Sequence, residues 1–143
     1  MFKKFKKVVL GSVLGGFLSS SAMAQTTNEV WTHHIEAWQA RSLEAIVSDY
    51  NEDSVLILNN QVFKGTNAIK NVFTQLFVIF DHGQNRIDTP VRPGRIVYIT
   101  WHFTPTGESE FFGTDTFIIE QGKIAVQTIA SPLYDKFPIS NVP

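Results

Sequence analysis

The chain has 143 residues, 12 Lys and Arg against 13 Asp and Glu, and no cysteine. Near-neutral charge, with no basic cluster beyond the first seven residues, argues against a nucleic-acid partner. The missing cysteines exclude disulfides and thiolate metal sites, and the length suits one domain around one core.

The first segment reads as an address. "MFKKFKK" is basic, "VVLGSVLGGFL" is apolar, and "SSSAMA" ends in the small-x-small pattern Ala22-Met23-Ala24. That order is the layout of a secretory signal peptide, with cleavage expected between Ala24 and Gln25. The apolar run of eleven residues is shorter than the roughly 20 that cross a bilayer. Residues 1–24 are therefore expected to be removed. Residues 25–143 are expected to be a single domain, periplasmic or secreted, without a membrane anchor. Losing Lys3, Lys4, Lys6 and Lys7 leaves eight basic and thirteen acidic side chains, a net charge of −5.

Thr26 and Glu29 have capping-box spacing and predict a first helix. Its apolar stripe runs through Val30, Trp31, Ile35 and Trp38 and includes His34, while His33 points elsewhere, toward solvent. Ser42 caps a second helix with Leu43, Ile46, Val47 and Tyr50 at i, i+3, i+4, i+7. "SVLILN" and "VFKG" read as short strands around the turn "NNQ". Gly65-Thr66 then leads into a third helix that buries Ile69, Val72, Phe73, Leu76, Phe77 and Phe80. "DHGQNR" reads as a connection. Beyond it, "RIVYITWHFT" (95–104), "ESEFFGTDTFIIE" (108–120) and "KIAVQTIA" (123–130) are β-rich and separated by the turns "PTG" and "QG". The fold class is α+β: about three N-terminal helices against a curved antiparallel sheet.

The order of "IVSDYNEDSVLIL", "FKGTNAIKNVF" and "TDTFIIEQGKI" resembles the nuclear transport factor 2-like superfamily, in its SnoaL-like and ketosteroid-isomerase-like branch. The resemblance spans residues 28–131. It implies a cone-shaped half-barrel with a pocket at its open end, and a homodimer formed through the sheet. It also implies that Asp115 holds the place of a protonated acid, that His34 holds the place of a helix tyrosine, and that Leu58 holds the place of the usual base. An aliphatic side chain cannot move a proton, so the usual steroid-isomerase route is not expected.

Asp115 stands among phenylalanines, and a carboxyl group walled by Phe111 and Phe117 should hold its proton more tightly. With Thr106-Gly107 as a two-residue loop, Asp115 lies opposite Tyr98 and shares a face with Tyr98, Thr100, His102, Phe111 and Phe117. A three-residue loop brings Val97, Ile99, Trp101 and Phe103 to that side instead. The first register is preferred because it gathers polar groups around the acid. In it, Asp115 and His34 are the candidate catalytic pair, and Trp31, Tyr98, His102, Phe111, Phe117, Gln127 and Asn59 are candidate ligand contacts. No metal-ligand spacing is present and no cofactor is expected.

Three functions compete on this reading. One is cofactor-free acid–base chemistry of isomerase, cyclase or lyase type on a small, apolar, carbonyl-bearing molecule. Another is an exported binder of such a molecule, which the aliphatic residue at position 58 favours. The last is a dimerisation module using outward residues such as Phe112 and Ile118.

Overall fold

A computed structural model describes residues 25–141; the segment read as a signal peptide lies outside the described residues. The helices are α1 (Thr27–Gln39), α2 (Leu43–Ser48), α3 (Gly65–Phe80) and the short α4 (Leu133–Lys136). The strands are β1 (Val55–Leu58), β2 (Gln61–Lys64), β3 (Gly83–Ile87), β4 (Ile96–Pro105), β5 (Phe111–Glu120) and β6 (Lys123–Ala130). The strands form one sheet in the order β2-β1-β6-β5-β4-β3. Every pairing in it is antiparallel except β1 with β6, so the sheet is mixed. It curves without closing and cradles the helices, which is the α+β half-barrel expected from sequence.

Local chemistry accounts for the element boundaries. Thr26 and Glu29 complete the capping box of α1, and the Ser42 hydroxyl accepts from the Ala45 N–H at the start of α2. The β1–β2 turn places both Asn59 and Asn60 at positive φ, the pair of angles that a two-residue type I′ hairpin needs. A bulge between Ile118 and Ile119 breaks the β5–β6 register and helps the sheet bend. Helix α3 buries Ile69, Val72, Phe73, Leu76 and Phe80 against the concave face. Each such side chain contributes on the order of 1.5–3 kcal/mol of burial.

Two departures from the sequence reading matter. The stretch taken as a connection contains edge strand β3, whose "GQNRI" carries little β-branched character to announce it. More consequentially, β4 and β5 pair with Asp115 opposite Ile99, not opposite Tyr98. Glu108 N–H closes a turn on the Pro105 carbonyl, and within it only Gly107 takes a positive φ, of 80°. A turn of that kind does not follow the twist of a two-residue hairpin. One further residue is therefore accommodated before Phe111 pairs with Phe103. The one-residue shift turns Val97, Ile99, Trp101 and Phe103 inward and Tyr98, Thr100 and His102 outward.

Candidate functional site

The concave face and the helices enclose a cavity of about 50 Å³ lined largely by aromatic and aliphatic side chains. Its polar members are His34 from α1, Asp115 from β5, Gln127 from β6, Tyr134 from α4 and Asn85 from β3. A wider outer chamber of about 590 Å³ shares Trp31, Ile35, Trp38, Phe80, Asn85 and Ile87 with it, so the two adjoin.

Asp115 is 8% exposed. The Trp101 indole N–H donates to its Oδ1 at 2.8 Å, and the Gln127 amide donates to its Oδ2 at 2.9 Å. The Tyr50 hydroxyl in turn donates to Gln127 Oε1, which fixes the amide with its N–H group toward the acid. Burial raises the Asp115 pKa to about 6 and outweighs the two donated hydrogen bonds, which pull it down. Both carboxyl oxygens accept from protein donors. When Asp115 is neutral, its proton therefore finds no protein acceptor among the described hydrogen bonds and is left for the cavity.

Gly113 makes this arrangement possible. A Cβ built there would lie 2.0 Å from the Trp101 ring, so only glycine lets the indole lie across β5 and reach Asp115.

The sequence reading paired His34 with Asp115. The structure gives His34 a different partner, Asp49, the C-terminal cap of α2. His34 Nδ1 donates to Asp49 Oδ2 at 3.0 Å, and His33 Nδ1 donates to Oδ1 at 2.6 Å. A carboxylate only accepts, so neutral His34 carries its proton on Nδ1 and a free lone pair on Nε2. His34 lines the cavity, and Nε2 makes no hydrogen bond among the described residues. His33, expected in solvent, is half-exposed and braces the outer oxygen of the same carboxylate. Adjacent helix residues diverge, yet a carboxylate set between them meets both rings.

Tyr134 was not singled out from sequence. Its ring lies 6.3 Å from that of Trp101, and its phenol pKa is raised well above the usual value by burial and then by the charge of Asp115. It keeps its proton at neutral pH and can donate into the cavity.

The remaining expected contacts divide cleanly. Trp31, Phe117 and Gln127 line the cavity, with the Trp31 and Phe117 rings 5.4 Å apart. Phe111 faces inward but packs against the core beyond the cavity. Tyr98 and His102 lie on the convex face, because of the register shift. There His102 bridges Asp88 and Glu110, at 3.3 and 2.8 Å. Asn59 sits in the β1–β2 turn, where its amide exchanges hydrogen bonds with the backbone of Ser131. Leu58 is buried and apolar at the end of β1. Among the described residues no three His, Cys, Asp or Glu side chains gather in a metal-binding group, and no helix is long and apolar enough to cross a membrane.

Comparison with known folds agrees with this architecture. A protein proposed to be a SnoaL-like polyketide cyclase from Jannaschia sp. CCS1 superposes with a TM-score of 0.65 at 14% identity, over 87% of this chain and 98% of that one. An NTF2-like protein of unknown function from Cytophaga hutchinsonii gives 0.63 at 14%, over 78% and 95%. A proposed ketosteroid isomerase from Kribbella flavida gives 0.64 at 16%, over 78% and 82%. At such identities the likeness establishes the nuclear transport factor 2-like fold. Residues 31–127 also match the SnoaL-like domain family, and the chain belongs to it. No curated protein matches the chain.

Proposed function

We propose that this chain is an exported SnoaL-like protein that takes a small carbonyl-bearing molecule into its concave cavity. There it performs cofactor-free acid–base chemistry of isomerase, cyclase or lyase type. One observation carries the reading: an imidazole anchored through Nδ1 and a carboxyl group whose proton lacks a protein acceptor line the same cavity. His34 Nε2 takes a proton from the carbon beside the carbonyl. The oxygen that gains charge accepts hydrogen bonds from neutral Asp115 and from the Tyr134 hydroxyl. Returning the proton to another carbon gives an isomer; attack of the enolate carbon on a second carbonyl of the same molecule closes a ring. The base that Leu58 cannot be is thereby moved from strand to helix. The polyketide cyclase and ketosteroid isomerase assignments proposed for two fold neighbours support the same class.

The test is turnover of a panel of ketones and β-dicarbonyl compounds. His34→Ala and Asp115→Ala should lower it by roughly 10²–10⁴-fold while tryptophan fluorescence still reports binding. A wild-type protein that binds panel members, rises in melting temperature with them and converts none is a carrier instead. The aliphatic Leu58 supports that second reading.

Export is supported by the basic, apolar and small-residue order of residues 1–24. Periplasmic protein beginning at Gln25 by mass spectrometry is the expected result. A homodimer through the convex face is supported by exposed Phe112 and Val91, at 49% and 59%. Light scattering should give twice the chain mass.

A further inference from the structure

Asn85 Oδ1 is buried and makes no hydrogen bond, and it is the one buried side-chain polar atom in that condition among the described residues. Asn85 stands on β3, where it lines both the inner cavity and the outer chamber. An unpaired buried carbonyl is costly and persists where something else pairs with it. The neighbouring charged groups of the outer chamber are already engaged. Arg41 bonds Asp81 and the carbonyls of Trp38 and Phe80, and Asp88 is held by Thr100, Arg86 and His102. Asn85 Oδ1 is the buried acceptor left without a partner among the described residues.

Sheet register places that group relative to the acid. Asn85 lies opposite Phe103 and Asp115 opposite Ile99, four residues apart on β4 and on its two sides. Strand geometry separates their backbones by about 13 Å along the sheet and about 10 Å across it. The inner cavity of about 50 Å³ holds a group of a few heavy atoms, whereas the outer chamber of about 590 Å³ holds the body of a metabolite-sized molecule.

We infer that the site takes an elongated molecule with a narrow carbonyl end seated between His34 and Asp115 and a hydroxyl or N–H donor farther along it that bonds Asn85 Oδ1. The inference rests on the carbonyl reading above. Asn85 then sets specificity at the mouth, with Trp31 and Trp38 packing on the apolar span between the two polar ends. Oδ1 is itself buried, so the ligand's donor meets it after rotation about χ2, a broad torsion.

Three tryptophans surround the two chambers, so intrinsic fluorescence reads occupancy directly. The probes are 4-phenylbutan-2-one and 4-(4-hydroxyphenyl)butan-2-one, which differ by one hydroxyl at the end remote from the carbonyl. Wild-type protein should bind the hydroxylated ketone roughly ten-fold more tightly. Asn85→Leu should erase that preference by weakening the hydroxylated ketone alone, while Asn85→Asp, which keeps an acceptor oxygen, should retain it. Equal wild-type affinity for two ketones that both bind overturns the assignment of Asn85 alone, as does a preference that survives in Asn85→Leu. Failure of both ketones to bind overturns the carbonyl reading itself, and this inference falls with it.

Discussion

Asp88 and Asp115 flank the same strand, β4, and their carboxyl groups are displaced in opposite directions. On the convex side the Thr100 hydroxyl, aided by Arg86 and His102, holds Asp88 below its ordinary pKa. On the concave side burial lifts Asp115 to about 6. Each cluster contains an aspartate, hydrogen-bond donors and a nearby histidine, so residue identity does not distinguish them. What differs is access to water. The convex cluster is solvated, and its charges are screened and individually weak. The concave cluster is buried, so each polar contact there changes which protonation state survives.

That contrast can be broken most sharply by removing the proposed proton carriers. His34→Ala or Asp115→Ala should lower turnover by roughly 10²–10⁴-fold, and Asp49→Asn by roughly 10–100-fold through loss of imidazole orientation. Steady-state kinetics on any converted ketone checks both. If Asp115 acts as the neutral donor, kcat should fall as pH rises through about 6, and the fall should vanish in Asp115→Asn. An unchanged profile in that variant removes Asp115 from the chemistry.

Stability offers the next test. Gly113→Ala drives a methyl group into the Trp101 ring and should cost about 1–3 kcal/mol in chemical denaturation. It should also shift the tryptophan emission. For Asp115 the sign runs the other way. Its folded pKa lies above the ordinary carboxyl value of 3.8, so its contribution to stability is full below pH 4 and is lost as pH rises through about 6. Asp115→Asn, which cannot ionise, should therefore lack the loss of about 2 kcal/mol that wild type shows between pH 4 and pH 8. The smallest effect belongs to the convex face, where His102→Ala should change stability by less than about 1 kcal/mol and leave turnover intact.

Much of the fold was legible because periodicity and caps are local signals. The Thr26–Glu29 box, the α3 stripe and the long β4, β5 and β6 strands all rest on residues within a turn or a strand of each other. The site was less legible, since it depends on pairings between distant segments. Asp115 and His34 stood out as polar residues within apolar patterns, and both line the cavity. Their partners could not be read the same way. Whether Tyr98 or Trp101 faces the acid turns on a single residue of loop, and Asp49 looks in sequence like any helix-ending aspartate. Tyr134 follows the last strand in a segment with no periodicity, and Asn85 lies in a strand made of polar residues. A glycine two residues before the acid was the available hint, because a strand interior spends glycine where another group must come close.

Asp49 and Tyr50 are consecutive. One anchors the imidazole, and the other anchors the amide that orients the acid, so the two supports are only about 3.8 Å apart along the chain. Their spacing is covalent. Any shift of the end of α2 therefore reaches the imidazole and the acid's amide partner together.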